Sequence, residues 1–338
     1  MSAAYAHCVA RESDTDWGGV RLHVVTGKGG TGKTTIAGAL ALALATDGRR
    51  VLLIEVEGRQ GIAQLFDVPP LDHNDRRIAS APGGGEVFGN ALDSEEALLE
   101  FLDMFYNMRR AGSALQKMGA IDFATTIAPG VRDVLLTGKT KEAVRRKSGD
   151  AYVYDAVVMD APPTGRITRF LNVNSEIGDL AKTGPIRSQA DAVMAVIASP
   201  ATAVHVVTLL EEMPVQETGD AITELIEAGL PVGAIIVNQV RIPLLTEAEQ
   251  AQATDHAIDL AQLAIDLESV GITATDSILT ALGNQAADHA ERVALEERER
   301  IVIAALDRPT YELPLRPDGI DPGILYDLAE SLRDQGVA

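Results

Sequence analysis

Short apolar runs recur along the chain, and each closes on a polar, charged or turn-forming residue. They are Leu22 to Val25, Val51 to Val56, Val87 to Leu92, Ala156 to Met159, Val193 to Ala198, Val232 to Val237 and Tyr311 to Leu313. Most are apolar at successive rather than alternate positions, as strands of a parallel sheet covered on both faces are. Between them the period becomes helical. Ile36 to Thr46 is rich in Ala and Leu, Thr246 to Ala305 reads as two or three acidic amphipathic helices, and Gly323 to Gln335 as a terminal helix. From Glu95 to about Lys147 the pattern is again helical, with Leu98, Leu102, Phe105 and Met108 at helix spacing. Ser94 before Glu95 and Glu96 suits a helix start. Asp67 to Asp75, Ala81 to Gly85 and Lys182 to Pro185 read as loops, and residues 1–19 as a loosely held arm. Strands alternating with helices predict an α/β fold with a doubly wound, mostly parallel sheet. We expect one domain over residues 1–338 with a helical subdomain, 94–149, inserted in it.

The sharpest local feature lies between the first strand and the first helix: Gly27-Lys28-Gly29-Gly30-Thr31-Gly32-Lys33-Thr34-Thr35. It fits GxxxxGK[ST], in which glycines let successive backbone N–H groups point inward at phosphate oxygens. The helix N-terminus adds unpaired donors and the positive end of a dipole. Gly29, Gly30, Thr31, Gly32, Lys33, Thr34 and Thr35 are thus the expected cradle of a nucleotide's phosphates. Lys33 brings a full charge to the β- and γ-phosphates, and the Thr34 hydroxyl is a candidate Mg²⁺ ligand. The run Ala156 to Met159 delivers Asp160 to the carboxyl end of the sheet, where open α/β sheets bind ligands, so Asp160 is a second candidate beside that Mg²⁺. Lys28 marks the deviant form of the loop, in which the extra lysine reaches phosphates held by a facing subunit, as an arginine finger supplied in trans does.

Composition narrows the partners. Twenty-nine basic against forty-nine acidic residues leave a net charge of −20, the wrong sign for a non-specific nucleic-acid binder or for docking on an anionic membrane. The best candidate for a local basic strip is Lys139 to Lys147. Cys8 is the one cysteine, so neither an intrachain disulfide nor a CxxC metal motif is available. The acidic, mixed start is unlike a secretory signal, and no apolar stretch is long enough to span a bilayer. A cytoplasmic protein is expected. Aromatics make up only 4% of the chain, so Phe101, Met104, Tyr106, Met118 and Phe123 are a local enrichment. They form either core packing or an adaptable groove for a hydrophobic or membrane-protein client.

With the phosphate loop and Asp160 in place, the chain resembles the ArsA-type ATPases, the arsenite-pump ATPase and the factors that target tail-anchored membrane proteins. The resemblance rests on Lys28 to Thr35, Ala91-Leu92-Asp93, Ala128-Pro129-Gly130, Asp160-Ala161-Pro162-Pro163-Thr164-Gly165, Glu217-Thr218 and Val237-Asn238-Gln239, in the family's order. It implies a P-loop ATPase fold and an ATP- and Mg²⁺-dependent dimer, with Asn238 on the adenine edge and Pro314 beside the base. It also implies that Asp160 and Thr164 belong to a switch sensing the γ-phosphate. Glu57 stands where the family has the aspartate that orients the attacking water, so Lys28, Lys33 and Glu57 are the expected catalytic set.

Three departures bear on function. Glu57 carries its carboxylate one methylene further out, and a misplacement of about 1 Å can cost on the order of a hundredfold in rate. The zinc-binding cysteine pair is missing and Cys8 supplies no arsenite site, which removes zinc and metalloid binding. Leu171 to Gln189 is short where relatives carry apolar helices of the client groove. The leading expectation is a dimeric ATP-hydrolysing switch. The alternatives are a weakly active regulatory subunit paired with a catalytic paralogue, and an ATPase of the ParA and MinD kind, against which the acidic charge and the acidic stretch Asp327 to Asp334 argue.

Overall fold

In a computed structural model, residues 17–93, 96, 97, 99, 129–172, 185–317 and 319–337 are described. The readings at Cys8, Ser94 and Glu95, Leu98, Phe101 to Met108, Met118, Phe123, Ala128 and Lys182 to Gly184 lie outside them, as does most of the expected subdomain.

Ten strands are described: β1 (Leu22–Gly27), β2 (Arg50–Glu55), β3 (Arg76–Ser80), β4 (Glu86–Ala91), β5 (Lys147–Ser148), β6 (Ala151–Tyr152), β7 (Ala156–Asp160), β8 (Thr202–Thr208), β9 (Val232–Val240) and β10 (Thr310–Pro314). The helices are α1 (Lys33–Ala45), α2 (Gly61–Leu65), α3 (Pro129–Arg145), α4 (Thr164–Leu171), α5 (Pro185–Ile197), α6 (Glu212–Glu227), α7 (Glu247–Thr254), α8 (Leu260–Ser269), α9 (Asp276–Ala304) and α10 (Pro322–Asp334). Eight strands form one sheet in the order β10-β9-β8-β1-β7-β2-β4-β3, and β5 and β6 pair as a small hairpin. Every pairing in the large sheet is parallel except β3 on β4 at the edge. This is the doubly wound α/β sheet that the pattern predicts.

Both faces of the sheet are buried, which is why its strands read as continuous apolar runs. Along β2, Leu52 and Ile54 enter one core with Val157, Met159, Val204 and Val206, together with α4 to α6. Val51 and Leu53 enter the other, with Val158, Val207 and Ile236, against α1 and α10. Every residue of α1 from Ile36 to Ala45 is buried, so its Ala- and Leu-rich circumference has no polar side.

The structure corrects some local expectations. Val193 to Ala198 is the end of a helix, α5, and not a strand: Ala190, Val193 and Ile197 are buried at spacings of three and four. The strand comes after the turn at Ser199, as β8. Within the arm expected over residues 1–19, Trp17 is not loosely held: it is buried, stacks on His205 at 4.8 Å and donates its Nε1–H to the Tyr311 hydroxyl at 2.8 Å. The basic strip Lys139 to Lys147 is interrupted by Glu142 and tied by Arg146 to Asp75.

From β1 the chain winds toward β2 on one side, and from β8 toward β9 and β10 on the other. The crevice at the carboxyl ends of β1 and β8 is therefore the topological switch point, where such sheets bind ligands. Among the described residues, no helix is long and apolar enough to cross a membrane.

Candidate functional site

The glycine loop leaves β1 at that switch point and ends at Gly32, which precedes α1 with φ +86°, a left-handed conformation that glycine adopts freely. A Cβ on Gly32 would run into the Asn238 amide, whereas one on Gly29 or Gly30 would meet nothing, so the loop's crown is open. Thr31 is buried and fastens the loop to itself, its hydroxyl donating to the Lys28 carbonyl at 2.9 Å. Asn238, also buried at the carboxyl end of β9, donates from Nδ2 to the Thr31 carbonyl at 2.9 Å and accepts from Gln239 N. Here Asn238 braces the underside of the loop. Pro314 ends β10 alongside Val240, at the same edge.

Thr34 and Asp160 meet. The Thr34 hydroxyl donates to Asp160 Oδ2 at 2.6 Å, from the first turn of α1 to the end of β7. A neighbouring bond from the Thr26 hydroxyl to the Pro162 carbonyl, at 2.7 Å, holds the chain after β7 against β1. Burial pushes the Asp160 carboxyl up to about 6, helped by the charges of Glu55 and Glu57 and opposed by the Thr34 bond and Lys33. Burial also lowers the Lys33 ammonium, while Asp160 and Glu57 pull it back up and Arg59 lowers it further. A hydroxyl and a carboxylate short of compensating charge, both hard oxygen donors, fit Mg²⁺. Lys33, Thr34 and Asp160 are thus brought together as expected from the sequence, and Thr35 follows them half-buried in α1.

Glu57 sits in the turn after β2, and a different acid shapes that turn. Glu55 is buried, and its carboxylate accepts from Gln60 N and, at 3.0 Å, from Ile62 N, satisfying donors at the start of α2. Gln60 takes φ 59° and returns its side chain to both backbone groups of Leu71, at 2.7 and 2.9 Å. Gly61 comes close enough that a Cβ there would touch the Thr34 methyl at 3.2 Å. The turn is thereby fixed beside the Thr34–Asp160 pair. The Glu57 carboxylate lies between two guanidiniums, Arg59 at 3.5 Å and Arg166 at 3.8 Å. Lys28 leaves the loop on the other side and pairs with Glu217 of α6 at 2.7 Å, both about one-third exposed.

Glu55, Arg59 and Arg166 were not singled out by the sequence. Glu55 was visible only as the last residue of an apolar run, and the two arginines gave no local signal. Among the described residues, no three His, Cys, Asp or Glu side chains converge as a metal cluster.

A family model described as "Anion-transporting ATPase" matches residues 20–197, from β1 to the end of α5. The chain is 53% identical over 321 residues to the protein named ATPase BagA of Mycobacterium tuberculosis, a match covering 94% of each. It is 26% identical over 251 residues to ATPase GET3 of Kluyveromyces lactis, covering 64% of this chain and 71% of that protein. It is 25% identical over 328 residues to the arsenical pump-driving ATPase of Acidiphilium multivorum, covering 90% of this chain and 54% of that protein.

Proposed function

The chain belongs to the anion-transporting ATPase family and is an ATPase, and from that premise we propose that it is a dimeric molecular switch driven by hydrolysis of Mg·ATP to ADP and orthophosphate. The observation that carries this reading is the 2.6 Å bond from Thr34 to Asp160, made beside Lys33 and in the electrostatic field of Glu57. Gly29 to Thr35 receive the phosphates on their backbone N–H groups, and Lys33 holds the β- and γ-phosphate oxygens. Thr34 and Asp160 would hold Mg²⁺, which would supply neutralising charge to the phosphates. Glu57 orients a water and accepts its proton. The water oxygen bonds to the γ-phosphorus while the bond to the bridging oxygen breaks, and ADP leaves with that electron pair.

Lys28 of each subunit completes the site of the other, and Asn238 and Pro314 flank the base. The partner is a second copy or a paralogous ATPase, and the location is the cytoplasm, as the cysteine usage suggests. The helical insert over residues 94–149 belongs to the same domain in this reading.

One observation favours the second reading, a weakly active subunit. Glu57 is already engaged by Arg59 and Arg166 and must turn from them before it can orient a water. The experiment is phosphate release from Mg·ATP by the full chain and by Glu57→Gln. Removing a general base slows turnover by about a hundredfold or more, with ADP affinity retained. An unaltered rate in the assembled dimer takes Glu57 out of the chemistry and favours the regulatory subunit.

A further inference from the structure

Behind Glu57 lies a cavity of about 160 Å³. Its apolar wall includes Leu136 of α3 and Phe170 of α4, and its charged wall carries Arg59, Arg132 and Arg166 with Glu57 and Asp133. Three guanidiniums thus face two carboxylates, a local positive excess in a chain of net charge −20. The ion pairs to Glu57, at 3.5 and 3.8 Å, are looser than the 2.7–2.9 Å of a tight charged hydrogen bond. Arg132 forms no ion pair with a described residue. Each guanidinium offers five donors in a rigid fork, and one carboxylate has about four acceptor positions. Donors therefore outnumber the acceptors, and what matches planar forks from three sides is a small oxyanion. The size agrees, since a cavity of about 150 Å³ holds a molecule as large as benzene. It has room for one tetrahedral anion.

We propose that this cavity is an orthophosphate site: the phosphate cut from ATP passes Glu57 into the grip of Arg59, Arg132 and Arg166 before it is released. The proposal rests on the hydrolytic reading above, because Glu57 both lines the cavity and acts on Lys33 at the phosphate loop. It adds a product site where α3 and α4 meet, so that bound phosphate ties the β2 turn to Arg132 of α3 and Arg166 of α4.

The test titrates inorganic phosphate into the full chain saturated with Mg·ADP, so that the loop is occupied. Arg132, exposed on α3 and remote from the loop's own bonds, is the residue to change. Wild type binds one phosphate, Arg132→Ala binds it at least about tenfold more weakly, Arg132→Lys recovers part of the loss, and ADP affinity is the same in all three. Phosphate binding that is absent, or equal in wild type and Arg132→Ala, overturns the site. Single-turnover release, followed with a fluorescent phosphate reporter, separates product from any other anion: faster release from Arg132→Ala supports product phosphate, and an unchanged release rate overturns that assignment. Should Mg·ADP not bind at all, the hydrolytic reading fails. Phosphate binding to the nucleotide-free chain then decides the cavity alone, supporting it if Arg132-dependent and overturning it if not.

Discussion

If Lys28 serves the neighbouring subunit's nucleotide, it must first leave Glu217. The pair is short, 2.7 Å, but both side chains are about one-third exposed, and ion pairs in that setting are worth about 0.2–1 kcal/mol. Glu217→Gln removes the charge and keeps the shape. By the same magnitude it should raise the population of chains with Lys28 released, and with it turnover in the dimer, by about 1.4- to 5-fold. The assay is Mg·ATP turnover across a range of protein concentrations at low salt, alongside Lys28→Met. A cation delivered in trans is worth about 10³-fold or more in comparable ATPases and GTPases, so Lys28→Met should nearly silence the enzyme while leaving ADP affinity intact. Raising salt from roughly 0.05 to 0.5 M should shrink the difference between wild type and Glu217→Gln, since screening does in wild type what the substitution does. Two results refute the reasoning: Lys28→Met as active as wild type, or Glu217→Gln slower than wild type.

Two further predictions concern the scaffold of the site. Gly32→Ala introduces a side chain at φ +86° against the Asn238 amide; it should cost at least about 1–2 kcal/mol in denaturant unfolding and weaken ADP binding, and an unperturbed protein would contradict the loop geometry. His23 and His205 stack in the core with Nδ1 and Nε2 3.1 Å apart, and burial lowers His23 to about 3 and His205 well below its ordinary value. The unfolded chain therefore binds more protons below about pH 6.5, and stability that is complete above that pH is lost as the pH falls. Two imidazoles that take up protons only in the unfolded chain, each approaching about 1.4 kcal/mol per pH unit below pH 6.5, give a loss of about 3 kcal/mol from pH 6.5 to 5. Asp160, raised to about 6, offsets about 1 kcal/mol of that in the absence of metal. Urea titrations at the two pH values measure it, and a flat profile would show that the imidazoles are not held neutral.

What the sequence revealed and what it hid divide along the range of the interactions. The glycine loop, α1 and the delivery of Asp160 depend on residues adjacent in the chain, and their spacing alone predicts them. The run from Val193 to Ala198 misled because a buried helix and a buried strand look alike over six apolar residues; only the burial of Ala190, Val193 and Ile197 on one face decides it. The edge strand β3, half exposed and beginning with Arg76-Arg77, carries no apolar run to find. Glu57 was legible only through the resemblance to the family, which aligns it with the water-orienting aspartate, whereas the guanidiniums on either side of it come from the turn and from α4, and only folding brings them together. The same holds for Glu217, whose partnership with Lys28 joins α6 to the loop.

The measurement that bears most directly on the whole account is a calorimetric titration of Mg·ADP into the full chain and into Lys33→Ala. The loop at the β1–β8 crevice should bind one nucleotide per chain, and loss of the Lys33 ammonium should weaken that binding at least about tenfold, the value of one charge-assisted phosphate contact. Equal affinity in the two proteins would mean that the nucleotide is held somewhere other than the glycine loop.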